Sequence, residues 1–474
     1  MDNNNTVKQE NGSNVNEANL NKLKSDGLKA INLNAAGIDV GGGVHFVAVP
    51  EGRDMESVKE FGCFTEDLYS LLGWLKKCGI DTVAMESTGV YWIPLYEILE
   101  AGGIQVLLVN ARQIKNVSGR KTDVMDCQWI QRLHTYGLLQ GAFRPEAKVC
   151  ELRAYLRQRG MLIKSAGTHI QHMQKALTLM NLQLANVLSD VTGETGMRII
   201  RAIVGGERDA AVLASHRDSR CKNSVATLQK SLMGHYKDEQ VFALKQALEL
   251  YDFYQAKIAE CDRAIEAHLL SFEPKIEITE EKENEGGKPK SSKKKQKNGA
   301  NINVRASLIR MSGVDLTKIP GIDQTTALTL LSEIGLDLSN FRSPKAFASW
   351  LGLSPENKIS GGKLLSSKSK RTGSNAARCL RIAAFTLHKS KSSLGAFLRR
   401  LKARIGAPKA ITALAHKLAL IVYSMLKNGQ EYVEQGQEYY ENLYQDRVIK
   451  NLKKRAESLG FTILKNQGLS SVAG

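Results

Sequence analysis

The feature that most constrains the fold of this chain is a series of short apolar runs between residues 36 and 109. Ala36–Val40 and Val44–Val49 predict two strands, joined as a hairpin by three glycines. The other elements predicted in this region are a helix at Leu68–Lys77, a strand at Thr82–Met85, a helix at Pro94–Ala101 and a strand at Ile104–Val109. This alternation of strands and helices favours an α/β domain over residues 34–145.

Four acidic residues occupy unusual places in that domain. Asp39 lies inside an apolar run and Glu86 ends another, while Asp123 and Asp126 are three apart, on one face of a predicted helix. A buried carboxylate needs a metal or a cation as its partner. Carboxylate oxygens suit Mg²⁺, and such ions can clamp a phosphodiester. The four acids therefore predict a Mg²⁺ site. The alternative role for Asp123 alone is to cap the N-terminus of the helix, which Thr122 can also do.

The basic residues are concentrated in one part of a chain whose net charge is +18. No Asp or Glu occurs between Glu356 and Glu431, a stretch that holds sixteen Lys and Arg. A solvated surface usually mixes both signs, whereas a single-sign stretch suits contacts with phosphates. The pattern predicts a nucleic-acid partner and leaves DNA and RNA undistinguished.

Residues 146–272 predict a helical coiled-coil domain. A heptad seam runs along its first helix if Arg159 is counted as the one polar member, and a looser pattern from Leu244 to Leu269 predicts a second arm. The arms either pair antiparallel, pair with another protomer, or are ordinary core helices. The seam consists of Leu152, Leu156, Arg159, Ile163, Ala166, Ile170, Met173, Leu177, Met180 and Leu184.

The remaining segments flank these domains. Residues 1–33 predict a disordered tail, 273–304 a charged flexible linker, and 436–474 a C-terminal helix and tail. Residues 305–435 predict a mostly helical domain in which Pro320-Gly321 resembles the turn of a helix-hairpin-helix. Asp323 stands at the usual second glycine, and an acid beside a phosphate is unfavourable, so this turn serves either DNA contact or packing.

Other sequence features exclude several classes. We find no apolar run long enough to cross a membrane and no secretory signal, so a cytoplasmic protein is expected. The seven cysteines are scattered without a Cys-x-x-Cys pair, which indicates reduced thiols and no structural zinc. His169 and His172 have no nearby ligands to complete a zinc set and are predicted to lie on the surface or in the coil.

Three N-terminal runs, in order, resemble the motifs of the DEDD insertion-sequence transposases. This is the "one-ten" insertion-sequence family, which includes Piv-like DNA invertases and bridge-RNA-guided recombinases. The resemblance implies a ribonuclease H fold like that of the RuvC resolvases, with the four acids as catalytic metal ligands and Lys121 contacting nucleic acid. The family often has a lysine three residues after the first Asp, where this chain has Gly42. The runs are Gly37-Ile38-Asp39, Glu86-Ser87-Thr88-Gly89-Val90-Tyr91 and Lys121-Thr122-Asp123-Val124-Met125-Asp126.

The family's second signature resembles Phe347–Pro355 followed by Ile359-Ser360-Gly361-Gly362. This resemblance, and not the local spacing, singles out Ser360 as the nucleophile from the other serines of the loop. It implies a serine transposase domain at residues 305–435. The basic residues around the signature are candidates for binding the nucleic-acid backbone; they are Lys363, Lys368, Lys370, Arg371 and Arg378.

The resemblance implies a bacterial transposase, a site-specific DNA recombinase that exchanges strands of target and donor double-stranded DNA through a phosphoserine intermediate. It further implies Mg²⁺ (or Mn²⁺), a noncoding bridge RNA, a dimer or tetramer, a cytoplasmic location at the nucleoid, and no membrane. Three alternatives stay open: a Mg²⁺-dependent junction resolvase or nuclease without serine chemistry, a nonenzymatic nucleic-acid-binding protein, and an invertase that works without RNA.

Overall fold

A computed structural model describes residues 29–87, 89–110, 123–277, 304–370 and 372–463. The chain divides into two compact units, one up to Arg144 and one from Pro145 onward. Two predicted nucleic-acid contacts, Lys121 and Arg371, lie outside the described residues, as do most of the N-terminal tail, most of the linker and the end of the C-terminal tail.

The first unit is built on a five-stranded sheet. Its strands are β1 (Ala35–Val40), β2 (Val44–Ala48), β3 (Val58–Gly62), β4 (Thr82–Glu86) and β5 (Gln105–Val109). Their order in the sheet is β3-β2-β1-β4-β5. β1 pairs antiparallel with β2 and parallel with β4, and β4 pairs parallel with β5. The carboxyl ends of β1, β4 and β5 therefore meet at one edge of the sheet.

Helices cover both faces of this sheet, because alternate residues of its central strands are apolar on each side. α1 (Thr65–Lys77) and α2 (Trp92–Ala101) pack on one face, where Ile38 and Met85 are fully buried. α3 (Asp123–Thr135) lies on the other face, where Ile130 packs against Ala84 and Val109.

The predicted α/β pattern is confirmed for this unit, including the hairpin at Gly41–Gly43 and every predicted strand and helix up to residue 109. One strand was missed. β3 contains Lys59 and Glu60 and forms the outer edge of the sheet, where a polar strand is tolerated and carries little apolar signal.

The second unit is mostly helical. Its longest elements are two 33-residue arms, α4 (Ala147–Leu179) and α9 (Asp238–Leu270). The helices between the arms are short; they are α5 (Leu184–Val187), α6 (Glu194–Val204), α7 (Ala210–Ser215) and α8 (Val225–Ser231).

The arms pair antiparallel with each other within the chain. Lys148, near the start of α4, contacts the end of α9, where His268 and Ser271 lie. At the other end Met173 shares a buried cluster with Leu248. The structure therefore supports the antiparallel alternative, in which the seam of each arm covers the other.

Arg159, the polar member of the seam, is buried as the heptad reading requires. Its guanidinium forms an ion pair with the buried Asp262 of α9, with 2.5 Å between Nε and Oδ1. His169 also lies at this seam, half-buried and stacked on Tyr254 with 5.4 Å between ring centroids, and burial lowers its pKa. His172 is exposed, as expected.

The C-terminal helices surround a core that contains the second signature. They are α10 (Val304–Ser312), α11 (Gln324–Ile334), α12 (Pro344–Trp350), α13 (Asn375–Thr386), α14 (Ser393–Ile405), α15 (Ala407–Asn428) and α16 (Gly436–Glu457), with a two-stranded hairpin, β6 (Lys358–Ser360) and β7 (Lys363–Ser366), between α12 and α13.

Among the described residues, one helix, α15, has the length and composition to cross a membrane. Half of its most apolar stretch is buried, and Leu414, Leu418 and Val422 are fully buried in the helical core. Such burial is typical of a core helix of a folded domain.

Candidate active site

Helix α3 lies unusually close to strand β1. A Cβ on Gly37 would come within 2.2 Å of the backbone N of Gln131 and 2.4 Å of the carbonyl O of Cys127, so only glycine fits there. Since side chains alternate along a strand, Asp39, two residues on, lies on the same face of the sheet as α3.

Hydrogen bonds fix the direction of α3. Its C-terminal part lies at the start of the strands, because Gln131 Nε2 donates to the carbonyl O of Ala35 (3.4 Å) and His134 Nε2 bonds Thr82 Oγ1 (2.9 Å). Burial lowers the pKa of His134. The N-terminal turn of α3 must therefore lie towards the carboxyl ends of β1 and β4.

Three of the four predicted acids meet at that edge. Ile38 pairs with Met85 in the β1–β4 register, and the next residues along the two strands are Asp39 and Glu86. Glu86 shares the α3 face with Ala84, which packs on Ile130. Asp126 lies in the first turn of α3, and all three acids are half-buried. Asp123, the first residue of α3, is exposed.

The thiol of Cys127 lies near two of these carboxylates. Its pKa is raised to about 12, mainly because the side chain is buried, and the negative charges of Asp39 and Asp126 add to the effect. Cys127 is thus close to both the strand acid and the helix acid.

The donor chemistry of this edge fits a hard divalent cation, because every candidate ligand is a carboxylate. Over the described ranges, however, no three His, Cys, Asp or Glu side chains are gathered closely enough to hold one ion. The backbone therefore brings the acids to one edge and face, while their side chains are not arranged as a ligand set.

Tyr91, which sequence reasoning did not single out, lies against the glycine at position 42. A Cβ on Gly42 would lie 3.3 Å from Cζ of the exposed Tyr91 ring, so a larger residue at position 42 would require a small shift of that ring. The contact also joins the loop after Asp39 to the loop after Glu86. The signal was present in the sequence, since Tyr91 belongs to the second motif.

Ser360 is the last residue of β6 and lies at the tip of an exposed hairpin. The two-residue turn consists of Gly361 (φ 53°) and Gly362 (φ 73°), both left-handed, as a tight hairpin turn of this kind requires. Ser360 pairs with Lys363 across the turn. The hydroxyl and the ammonium group therefore project from one face of the hairpin.

The second signature packs in the core and holds the segments that flank this hairpin. Phe347 is buried and its ring lies 5.2 Å from Phe341, whose carbonyl O accepts a hydrogen bond from Tyr423 (2.7 Å). Gly352 (φ 67°) lies where a Cβ would collide with Thr372, which follows the hairpin. Both ends of the hairpin are thereby held while its tip stays in solvent.

The basic residues near the hairpin are available to an external partner. Lys363, Lys368, Lys370 and Arg378 are exposed. In the described part of residues 358–427, no lysine or arginine forms an ion pair with a carboxylate. Their charge is left for a polyanion to neutralise.

The turn that resembles a helix-hairpin-helix is used for packing. A Cβ on Gly321 (φ 87°) would lie 2.7 Å from the carbonyl O of Ala383 in α13. Asp323 is the N-cap of α11, and its side chain accepts a hydrogen bond from the N–H of Thr326 (2.7 Å). The packing alternative for this turn therefore has a physical basis, and the acid at position 323 has a structural role.

A groove along α13 was also missed. It has a volume of about 500 Å³ and is lined by residues 372–375, Arg378, Arg381, Ile382 and Phe385. The spacing of Arg378, Ile382 and Phe385 places them on one face of the helix, which in a sequence cannot be distinguished from an ordinary core face.

Comparisons with known proteins match both halves of the chain. Residues 36–182 match the family model of the DEDD transposases of the IS110 group, described as a transposase, and residues 313–397 match the model described as "Transposase IS116/IS110/IS902 family". A protein of Sinorhizobium fredii (strain NBRC 101917 / NGR234), named as a candidate transposase, y4pF/y4sB, is 29% identical over 123 residues. That match covers 25% of this chain and 32% of the relative, about a third of its length. Both models describe the IS110 group of transposases, so the matches to two separate parts of the chain support its assignment to that group.

Proposed function

We propose that this protein is a site-specific DNA recombinase that moves an insertion sequence by cutting and rejoining DNA through Ser360. The observation that carries the proposal is the convergence of Asp39, Glu86 and Asp126 on one face and edge of the sheet. The sheet order, with a crossing helix beside β1, supports a ribonuclease H or RuvC-like assignment for this domain. The exposed serine hairpin and its unpaired basic surroundings supply the second half of the chemistry.

The carboxylates of Asp39, Glu86, Asp123 and Asp126 would hold Mg²⁺, or Mn²⁺ in its place. When bound, the cation would neutralise charge that develops on the phosphodiester oxygens. The position of Asp39 and Glu86 at the ends of adjacent parallel strands holds them on a rigid scaffold. Cys127, kept as a neutral thiol by its raised pKa, adds no further negative charge near the acids.

In the cutting step, Ser360 Oγ bonds to a DNA phosphorus and the P–O bond to one neighbouring deoxyribose breaks. The serine hydroxyl proton goes to a base, and the departing sugar oxygen takes up a proton and leaves as a hydroxyl. In the rejoining step, a hydroxyl of another strand attacks the phosphoserine and releases Ser360. One P–O bond forms for each one that breaks, so no outside source of energy is needed. Lys363 would stabilise the charge on the phosphate.

The partners follow from the same proposal. Double-stranded target and donor DNA would bind the basic residues Lys363, Lys368, Lys370 and Arg378, which lie around the hairpin, with Lys121 and Arg371 as further contacts. We also propose a noncoding bridge RNA as guide and a dimer or tetramer in which the acids of one protomer act with the serine of another. The reaction would take place in the bacterial cytoplasm, at the nucleoid.

The test is a covalent protein–DNA adduct on denaturing gels, with supercoiled DNA carrying the element's ends, the RNA transcribed from the flanking region, and Mg²⁺. The parent should form the adduct and Ser360→Ala should not. The matched control is Ser366→Ala, which changes another serine of the same hairpin and should form the adduct like the parent. If Ser360→Ala cleaves DNA as well as the parent does, the serine mechanism is wrong.

Two other functions give different results in the same assay. A Mg²⁺-dependent resolvase or nuclease would cut DNA without an adduct and would lose cutting in Asp39→Asn. A nonenzymatic binding protein would bind DNA and produce neither cut strands nor adduct in any variant. Omitting the RNA separates a guided recombinase from an invertase that works without RNA.

A further inference from the structure

The groove along α13 combines two properties that a nucleotide needs. Its apolar part is formed by Ile382 and Phe385, whose side chains are 58% and 59% exposed. Its lining also contains Arg378, which is exposed, and Arg381, whose Nη2 donates to the carbonyl O of Gly352 (3.3 Å). Single exposed apolar residues are common on protein surfaces, but an apolar shelf beside an exposed arginine in one groove fits a base joined to a phosphate.

The aromatic shelf is held in position. The Phe385 ring lies 5.7 Å from the ring of His388, and His388 Nδ1 contacts the carbonyl O of Phe385 at 3.2 Å. An exposed aromatic ring of this kind offers a stacking surface to a base of any sequence. The volume of about 500 Å³ is within the range of small-molecule sites and admits one nucleotide.

A network from the long arm positions the opening of the groove. Asn375, in its wall, donates a hydrogen bond from Nδ2 to Glu333 Oε1 (2.9 Å). Arg157 of α4 donates to both carboxylate oxygens of Glu333 (3.2 Å each), and Arg153 donates to the backbone carbonyls of Ser332 and Glu333. The carboxylate of Glu333 is thus already engaged and neutralised by arginine, so it does not repel a phosphate in the groove.

The groove is continuous with the serine hairpin along the chain. The strand that leaves Ser360 and Lys363 reaches residue 369, which bridges to Pro355, and three residues later Thr372 begins the wall of the groove. Ser374 N donates to Thr372 Oγ1 (3.2 Å), which shapes that wall. The groove and the serine hairpin are therefore separated by only a few residues of the chain.

We infer that the α13 groove binds one unpaired nucleotide of the DNA strand beside the phosphate that Ser360 attacks, with the base on Phe385 and the phosphate at Arg378. This inference rests on the proposed function, since it takes its occupant from the strand held at the hairpin. A base stacked in the groove cannot remain paired in a duplex, so the site selects a locally opened strand.

The experiment uses the full-length Ser360→Ala protein, so that no cleavage interferes. Binding is measured by the fluorescence anisotropy of three labelled probes about 12 nucleotides long: single-stranded oligothymidylate, a mixed-sequence duplex DNA, and oligouridylate. Phe385→Ala should weaken binding of the single-stranded DNA about tenfold and that of the duplex less than twofold. Phe385→Trp should restore it. Phe242→Ala, at an exposed phenylalanine on α9, is the matched control and should bind like the parent.

A second readout distinguishes binding in the groove from binding to basic residues elsewhere on the surface. A single-stranded probe with one 5-iodouracil is photocrosslinked, and the crosslinked peptide should contain Phe385 or His388. Equal loss of single-stranded and duplex binding in Phe385→Ala, or crosslinks only outside α13, would overturn the inference. Tighter binding of oligouridylate than of oligothymidylate, lost in Phe385→Ala, would also overturn it by assigning the groove to RNA. Because binding is read without cleavage, a failure of the Ser360 mechanism is a separate result.

Discussion

Ser360 lies opposite Lys363 across a turn that consists only of Gly361 and Gly362. The two glycines adopt left-handed backbone angles at no steric cost, which places the hydroxyl and the ammonium group on one face of adjacent strands. The hairpin is exposed and takes no part in the core. Changes at its tip should therefore alter chemistry without altering stability.

Lys363→Ala should slow formation of the DNA adduct about tenfold, because one cation is lost beside the reacting phosphate, in a position that solvent partly screens. Its melting temperature should equal that of the parent. Lys391→Ala removes another exposed lysine of the acid-free segment and should leave the rate within twofold. Equal slowing by the two substitutions would show that Lys363 contributes only general charge.

Asp39→Asn and Glu86→Gln should each weaken Mn²⁺ binding at least about tenfold, because each removes a carboxylate ligand from the edge of the sheet. Electron paramagnetic resonance of Mn²⁺ measures this without DNA or activity. Glu66→Gln, in the exposed first turn of α1, is the control; unchanged Mn²⁺ binding in Asp39→Asn would contradict the site.

Arg159→Ala should destabilise the arm-containing unit by about 3–5 kcal/mol, because it leaves the Asp262 carboxylate buried without its partner. Replacing both residues with apolar ones, as in Arg159→Met with Asp262→Leu, should recover most of that stability. Chemical denaturation monitored by circular dichroism measures both. Lys257→Ala, which breaks an exposed ion pair with Glu260, should cost under about 1 kcal/mol.

The raised pKa of the Cys127 thiol predicts a loss of folding stability at high pH. Its pKa is about 12 in the folded chain and near the ordinary value of 9.0 when unfolded, so above pH 9 the unfolded state gives up a proton that the folded state keeps. Stability should therefore fall as pH rises from 9 to 12, by about 1 kcal/mol per pH unit more in the parent than in Cys127→Ala. Cys63→Ala, at an exposed site, should follow the parent. Parallel pH profiles for parent and Cys127→Ala would refute this.

The fold of the first unit was largely predictable because apolar runs and glycines specify strands and turns locally. The acids were identifiable because Asp39 interrupts an apolar run, and Arg159 because it keeps a heptad seam in phase. Whether the two arms pair with each other or with another protomer was not predictable, since the same seam can serve pairing within one chain or between chains. Tyr91 over Gly42 and the groove at Phe385 depend on contacts between distant segments, which residue spacing does not encode.

The most direct test of the central claim is mass spectrometry of the protein after reaction with DNA, nuclease trimming and proteolysis. A phosphoserine mechanism predicts one peptide that carries a residual nucleotide, with fragmentation placing the nucleotide on Ser360. That peptide should be absent when the reaction uses Asp39→Asn. A nucleotide on a different residue, or cut and rejoined DNA with no modified peptide, would contradict the assignment of Ser360 as the nucleophile.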